Sequence, residues 1–129
     1  MVTRKTVIGI INKYKNAWVN RDPEAIVKIF SKNGKYQERV LKRPLIGHSK
    51  IKRYWQDKVV GEQKDIKFKL LHLYISGSTA IAEWDARFYD KKNRDNVHIR
   101  EIAVLEIKGH KISSLREYWS SIRTKMVRS

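Results

Sequence analysis

Hydrophobic and polar positions alternate strictly along residues 79–90, TAIAEWDARFYD. A period of two over this length predicts a β-strand with one buried face. That face carries three alanines and two large rings: Ala80, Ala82, Trp84, Ala86 and Phe88. Two interpretations of the small residues are open. They leave room for a cavity that the rings wall inside a curved sheet, or they let a helix pack tightly on the sheet.

The N-terminal part of the chain follows a helical period instead. Residues 3–20 repeat apolar side chains every three or four positions, which predicts an amphipathic helix. Its apolar stripe consists of Val7, Ile10, Ile11, Tyr14, Ala17 and Trp18. Asp22 and Pro23 predict the start of a second helix, because aspartate caps a helix N-terminus and proline fits the first turn. Residues 50–59, with Ile51 and Trp55, predict a third helix.

The remaining elements are predicted to be strands. A short strand over residues 35–40 places Tyr36 and Glu38 on one face. Longer strands are expected over residues 65–76, 97–108 and 111–121, joined by short polar turns. Three helices followed by antiparallel hairpins predict one α+β domain over residues 1–129.

The strand at residues 97–108 carries apolar side chains on both faces. On the inner face, Glu101 lies among apolar neighbours, and a buried carboxylate needs a partner. The opposite face carries Ile102 and Val104 between charged residues. Because an apolar outer face needs cover, we expect a second copy of the chain to pack there and form a homodimer.

The chain is strongly basic, with a net charge of +16 from 29 Lys and Arg against 13 Asp and Glu. This balance favours weak, salt-dependent binding of polyanions. The basic residues are spread along the whole chain, with no recognition helix or zinc finger between them. A generally basic, solvated surface is therefore the simpler interpretation.

Several classes of site and location are disfavoured by the sequence. It has no cysteine, and its four histidines lack the spacing of metal ligands, so we predict neither a metal nor a cofactor. No stretch approaches the roughly 20 apolar residues of a membrane span, and residues 1–18 are not typical of a signal peptide. We therefore expect a cytoplasmic protein without membrane contact.

The order of elements and several short runs resemble the nuclear transport factor two-like superfamily, in its SnoaL-like and ketosteroid-isomerase-like branch. The runs are Tyr14 and Trp18 with residues 21–26 (RDPEAI), Gly47 and Ile51 with Tyr54-Trp55, residues 63–68 (QKDIKF), residues 80–84 (AIAEW) and residues 115–120 (LREYWS). The resemblance implies a cystatin-like α+β roll. In this fold a cone-shaped, strongly curved mixed or antiparallel sheet wraps around the N-terminal helices and a mostly apolar pocket.

The resemblance also implies positions for catalytic groups. Ketosteroid isomerases stabilise an oxyanion with a tyrosine on the first helix, and a carboxylate on the first strand moves the proton. These positions fall on Tyr14 and Glu38. The third acid of the family falls on Ala103, which cannot serve, whereas Glu101 lies two residues away on the same face. Two further pocket positions fall on Trp55 and Trp119.

Each candidate also has a structural alternative. In an apolar pocket the pKa of Glu38 would rise from about 4.3 towards neutrality, as suits a general acid or base, whereas beside Arg39 it is a solvated strand-edge residue. Tyr14 is either an oxyanion donor or a core tyrosine whose hydroxyl binds a carbonyl. If no bulge intervenes, His72 shares a face with Leu70. It is then either a group that pairs with an acid or carries a proton, or a hydrogen-bonded core residue.

The predicted function is the binding of a small apolar molecule, with cofactor-independent isomerisation, cyclisation or hydration as candidate reactions. Glu38 and Tyr14 are the candidate catalytic residues. The candidate ligand-binding residues are Trp18, Tyr36, Trp55, His72, Trp84, Glu101 and Trp119. The alternative, favoured by the missing acid at Ala103, is a non-catalytic dimerisation or binding module for an acidic protein or a nucleic acid.

Overall fold

A computed structural model describes residues 2–125 and has the predicted α+β architecture. The elements in chain order are α1 (Arg4–Val19), α2 (Pro23–Lys28), β1 (Phe30–Gln37), β2 (Leu45–Ile46), α3 (His48–Trp55), a π-helical segment (Gln56–Val60), β3 (Gln63–Ser76), β4 (Thr79–Asp90), β5 (Asp95–Lys108) and β6 (Lys111–Lys125). None of the helices within this part of the chain is long and apolar enough to cross a membrane.

The strands form one curved, unclosed sheet with the helices packed on its inner face. Their order is β2-β1-β6-β5-β4-β3, with β1 and β6 parallel and the other neighbours antiparallel. The short β2 and the long β3 are its two edges. The sheet is therefore mixed, as expected, and its parallel pair joins the first strand to the last.

Both predicted N-terminal helices begin at a capping side chain. The Thr3 hydroxyl accepts a hydrogen bond from the backbone N–H of Thr6 at 3.1 Å. The Asp22 carboxylate accepts bonds from the backbone N–H groups of Glu24 and Ala25, both at 3.1 Å. Such caps satisfy amide groups that the first turn leaves unpaired. All six residues of the apolar stripe predicted for α1 are buried.

Strand β4 confirms the alternating pattern, since every residue of its predicted inner face is buried. Side chains of α1 pack directly on this face: the Tyr14 and Trp84 ring centroids are 5.1 Å apart, and those of Trp18 and Phe88 are 6.4 Å apart. The three alanines are fully buried and do not line the cavity that Phe88 borders. The structure thus supports helix packing over the alanines and a cavity near the end of the strand.

Register shifts bend the sheet at three of its pairings, one of which is the pairing of β5 with β6 at Glu106 and Ile107. The register between β3 and β4 shifts twice, once between Lys64 and Lys67 and once between Leu70 and His72. The pairing of β1 with β6 is interrupted next to Gly34, where a Cβ atom would lie 3.0 Å from the carbonyl oxygen of Ser31. Bulges increase local twist and curvature, so these positions shape the concave face that receives the helices.

The outer face of the sheet exposes an apolar patch that crosses four strands. It consists of Tyr74, Ile81, Ile102, Tyr118 and Ile122. Two pairs within it lie directly opposite each other, Tyr74 with Ile81 and Ile102 with Tyr118. Exposed apolar groups in contact are typical of interaction surfaces. That a second copy covers this patch stays a prediction.

The packing over the alanines can be tested by enlarging one of them. Ala82→Leu should reduce the free energy of unfolding by about 1–3 kcal/mol, because the buried site has no space for the added carbons. Ile81→Leu, on the outer face of the same strand, should change it much less. Urea unfolding measures both, and a wild-type stability for Ala82→Leu would mean that space lies open beside the strand.

The homodimer prediction can be tested by placing a charge in the apolar patch. Ile102→Asp should convert a dimer into a folded monomer, because an unpaired carboxylate in an apolar interface is costly. Ile46→Asp is the matched control, since this exposed isoleucine lies on β2, outside the patch. Light scattering after size-exclusion chromatography gives the masses, and a wild-type monomer would contradict the prediction.

Candidate active site

A cavity of about 380 Å³ lies between the helices and the inner face of the sheet. Seven aromatic side chains line it: Tyr14, Trp18, Tyr36, Tyr54, Trp55, Phe88 and Trp119. Its acidic side chains are Glu38, Glu62, Asp90, Glu101 and Glu117, and its basic ones are Arg39, Lys42, Arg43, Lys58 and Arg123. The basic residues are exposed, whereas two of the glutamates are deeply buried.

Glu101 on β5 and Glu117 on β6 form a buried acid pair. Their residues are 3% and 5% exposed, and their carboxyl groups are in hydrogen-bonding contact. The register of β5 with β6 explains why these two side chains lie together. Glu117 lies opposite Ala103, two residues along the inner face of β5 from Glu101. Side chains two residues apart on one face reach diagonal neighbours on the next strand.

Two tyrosine hydroxyls approach the acid pair. The Tyr14 hydroxyl donates a hydrogen bond of 3.3 Å to Oε1 of Glu117, and the Tyr36 hydroxyl interacts with the same carboxyl group. The Tyr14 ring is fixed by edge contact with Trp55, at 5.7 Å between centroids, and by its contact with Trp84. The pair and the tyrosines therefore form one polar cluster inside an aromatic shell.

Burial controls the protonation of this cluster. Burial raises the pKa of Glu101 well above its ordinary value, and the neighbouring Glu117 raises it further. Burial also raises the pKa of Glu117, although hydrogen bonds from its neighbours act in the opposite direction. Neither carboxyl group has a Lys or Arg partner among residues 2–125. Two adjacent carboxylates cannot both ionise cheaply there, so the pair retains a proton.

The tyrosines of the cluster are neutral hydrogen-bond donors. Burial raises the pKa of Tyr14 and of Tyr36 well above the usual tyrosine value, and the charge of Glu117 adds to both shifts. A neutral hydroxyl can donate to a carboxylate or to a developing oxyanion.

A different acidic pair shows what a cationic partner changes. Asp90 and Asp95 are also buried, but the Arg123 guanidinium binds them at 2.8 and 3.0 Å. Burial alone would raise the pKa of Asp90, whereas hydrogen bonds from Arg123, Asn93 and Lys92 lower it to about 2. Asp90 is thus a structural carboxylate, unlike the acid pair.

Glu38 lies directly after β1, in the loop that borders the cavity. Its side chain is 25% exposed and forms an ion pair with Arg39 at 3.3 Å. Its charge contributes to the raised pKa of Glu101 and of Glu117, so it lies near the acid pair. Glu38 and Tyr14, the two predicted catalytic residues, therefore border the same cavity.

Tryptophans connect the cavity walls to neighbouring elements. Trp119 donates its indole N–H to the carbonyl oxygen of Glu38 at 3.1 Å, and the Arg39 guanidinium lies 5.4 Å from the Trp119 ring centroid. Trp18 donates its indole N–H to the Gln63 side chain at 2.8 Å. These contacts tie the loop after β1 to β6 and the end of α1 to β3.

Two predicted ligand-binding residues lie away from the cavity. Trp84 is fully buried beneath Tyr14 and does not border the open space. His72 is exposed on the outer face, because the bulge after Leu70 reverses the alternation and turns Leu73 inward instead. Both residues are therefore removed from the proposed ligand contacts. The other five, Trp18, Tyr36, Trp55, Glu101 and Trp119, border the cavity.

Glu117 was missing from the residues predicted from the sequence. The signal was present, because Leu115, Glu117 and Trp119 alternate on one face of β6. The residue opposite Ala103 in the pairing of β5 with β6 is Glu117, so β6 supplies a carboxyl group beside the position where β5 has an alanine.

No group of three or more His, Asp or Glu side chains in the part of the chain that the structure describes is arranged to hold a metal ion. The polar cluster instead contains carboxyl and hydroxyl groups that share protons through hydrogen bonds. Such an arrangement is suited to proton transfer.

Solved structures of very different sequence share this fold. A hypothetical protein with a ketosteroid isomerase-like fold from Catenulispora acidiphila, in complex with trimethylamine, is 17% identical, with a TM-score of 0.76 over 84% of this chain and 83% of that one. An LEH-like epoxide hydrolase from M. tuberculosis is 16% identical, with a TM-score of 0.74 over 90% and 84%. The epoxide hydrolase/cyclase-like enzyme SalBIII, which has a role in pyran ring formation in the polyether salinomycin, is 22% identical, with a TM-score of 0.79 over 93% and 95%.

At these identities the likeness concerns the fold alone. A search of curated proteins gave no match. The SnoaL-like domain family, however, matches residues 11–115, which include the C-terminal half of α1, the acid Glu101 and most of the sheet. The chain therefore belongs to the SnoaL-like domain family and has the nuclear transport factor two-like fold of the ketosteroid isomerase-like proteins.

Proposed function

We propose that this protein is a cofactor-independent acid–base catalyst that acts on a small, largely apolar molecule. The observation that carries the proposal is the Glu101–Glu117 pair, buried without a cation at an aromatic cavity and bound by tyrosine hydroxyls. A buried acid pair without a counter-ion is costly for folding, so its presence beside a cavity favours a functional role.

The acid pair is suited to donate a proton. The carboxyl group that keeps the shared proton acts as the general acid towards a substrate oxygen, such as a carbonyl, ether or epoxide oxygen. Tyr14 and Tyr36 stabilise the negative charge that remains on the pair or develops on the substrate. Oε2 of Glu101 has no hydrogen-bond donor within residues 2–125. A proton held between the two carboxyl groups would satisfy this atom.

Glu38 is suited to accept a proton. It borders the same cavity, is half-buried, and forms an ion pair with Arg39 at 3.3 Å. Its environment therefore differs from that of the acid pair, which retains a proton. Carboxyl groups in contrasting environments around one cavity are typical of general acid and base partners.

The indole N–H of Trp55 supports the binding of a substrate oxygen. Trp55 is 1% exposed and borders the cavity, and its Nε1 has no acceptor among residues 2–125. An unpaired buried donor is costly, and an oxygen atom of a ligand would satisfy it.

The relatives agree with this class of chemistry. The names of the similar structures include an epoxide hydrolase and an epoxide hydrolase/cyclase-like enzyme. Isomerisation, ring closure and addition of water all move a proton from carbon or oxygen to another atom. We infer that this chain catalyses a reaction of one of these three kinds.

The Kemp elimination of nitrobenzisoxazole tests the proposed acid–base function. In this reaction a base removes the ring C–H proton, the N–O bond breaks, and the oxygen leaves as a phenolate. Glu38→Gln should lower kcat/KM by about 10²- to 10⁴-fold, because the base is lost. Glu117→Gln should lower it through weaker stabilisation of the phenolate.

Glu83→Gln is the matched control, since this glutamate pairs with Arg100 on the outer side of the sheet. It should keep the wild-type rate, and circular dichroism should show that all variants are folded. Wild-type rates for both Glu38→Gln and Glu117→Gln would contradict the proposed function. A loss for Glu117→Gln alone would assign the base to the acid pair instead of Glu38.

The raised pKa values of the acid pair predict a dependence of stability on pH. The folded protein keeps a proton that the unfolded chain releases above pH about 4.3. Stability should therefore fall as pH rises from there through the folded pKa, by up to about 1.4 kcal/mol per pH unit for each retained proton. The double variant Glu101→Gln/Glu117→Gln should remove this slope.

Urea unfolding at a series of pH values measures the effect. Comparison with the control Glu83→Gln cancels the opposite contribution of carboxylates such as Asp90, whose stabilisation is lost as pH falls. The same slope in the double variant and in the control would mean that the pair retains no proton.

A further inference from the structure

The loop between β1 and β2 places basic side chains at the outer end of the cavity. Arg39, Lys42 and Arg43 lie within five consecutive positions of this loop, and all three are exposed and border the cavity. The proposed acid–base chemistry uses Arg39 as the partner of Glu38, but it does not use Lys42 or Arg43. They are therefore candidates for a separate role in binding.

Hydrogen bonds give this loop a defined shape. The Gln37 side-chain amide donates to the carbonyl oxygens of Val40, at 3.1 Å, and Lys42, at 2.8 Å. The backbone N–H of Lys42 donates to the carbonyl oxygen of Arg39 at 3.0 Å. Trp119 also binds the loop through the carbonyl oxygen of Glu38. The basic side chains thus extend from an anchored backbone.

The charges around the cavity mouth are not balanced. Arg39 pairs with Glu38 at 3.3 Å, and Lys58 pairs with Glu62 at 3.6 Å. By contrast, neither Lys42 nor Arg43 has a carboxylate within ion-pair distance among residues 2–125. Two adjacent cations therefore remain available at the mouth.

The interior of the cavity, unlike its mouth, favours apolar groups over anions. Its aromatic walls favour apolar groups, and the acid pair disfavours a second anion nearby. A ligand with an apolar body and an acidic group would consequently enter in one orientation. Its body would lie between the rings, and its charge would remain at the mouth beside the two cations.

We propose that the ligand of this cavity is a small amphipathic anion whose carboxylate, sulfonate or phosphate group binds Lys42 and Arg43. The inference extends the proposed function by naming a substrate class, and it rests on that function only for the reaction at the buried end. The anion-binding step depends on the cavity and the two cations alone.

Two fluorescent probes of similar shape test this inference. Anilinonaphthalenesulfonate carries a sulfonate, and phenylnaphthylamine is its uncharged counterpart; both become fluorescent in apolar cavities. The wild-type protein should bind the sulfonate more tightly, and added salt should weaken only that binding. Each probe should displace the other, since both need the same cavity.

The double variant Lys42→Gln/Arg43→Gln should weaken sulfonate binding by roughly three- to tenfold and leave the uncharged probe unaffected. The matched control is Lys13→Gln/Lys15→Gln, which removes the same charge from exposed positions on α1 that do not border the cavity. This control should retain nearly the wild-type affinity for the sulfonate.

Three outcomes would overturn the inference. They are equal wild-type affinities for the two probes, equal losses in the mouth variant and the control, and failure of the probes to displace each other. Binding of the uncharged probe without any preference for the sulfonate would overturn the anion site but leave the cavity and the proposed function standing. Conversely, an intact preference for the sulfonate without Kemp elimination activity would leave the anion site standing and count against the proposed function.

Discussion

The packing of Tyr14 connects the core of this protein to its candidate active site. Its ring lies 5.1 Å from Trp84 on the sheet and 5.7 Å from Trp55 on α3, measured between centroids. Its hydroxyl donates to Glu117 on β6. One side chain of the first helix thus contacts the sheet, the third helix and the acid pair. Because rings in a close-packed core have few alternative positions, the hydroxyl is held at a defined point.

The acid pair is costly for folding, and its surroundings explain how the cost is limited. Two adjacent carboxylates without a cation are strongly unfavourable in a buried site, but retention of a proton reduces the repulsion. Hydrogen bonds from the tyrosines offset part of the remainder. Arg123 solves the same problem differently for Asp90 and Asp95, by supplying a positive charge. A single sheet therefore contains two kinds of buried acid: Asp90 and Asp95, which are paired with an arginine, and Glu101 and Glu117, which retain a proton.

Charge is distributed unevenly along the cavity, so its two ends differ in the chemical groups that they offer to a ligand. The buried end has acid and hydroxyl groups, the walls are aromatic, and the loop after β1 adds cations at the mouth. The high net charge of the chain could not indicate this, because its basic residues are spread throughout the sequence. What distinguishes Lys42 and Arg43 is their position on an anchored loop that borders the opening.

Local patterns in the sequence were sufficient to predict the three helices, the four long strands and much of the cavity wall, but not the short β2 or the π-helical segment. The alternation in β4, the stripe of α1 and the cap at Asp22 depend on neighbouring residues, whose spacing is set by the geometry of helix and strand. The tertiary structure decided the rest. A bulge after Leu70 placed His72 on the outer face, and packing beneath Tyr14 removed Trp84 from the cavity. The register of β5 with β6 brought Glu117 opposite Ala103 and beside Glu101. The position of a bulge and the register of a strand depend on pairing between segments that are distant in the sequence. The alternation within one strand therefore shows on which face of the sheet an acidic side chain lies, but it does not show which side chain of the neighbouring strand lies beside it.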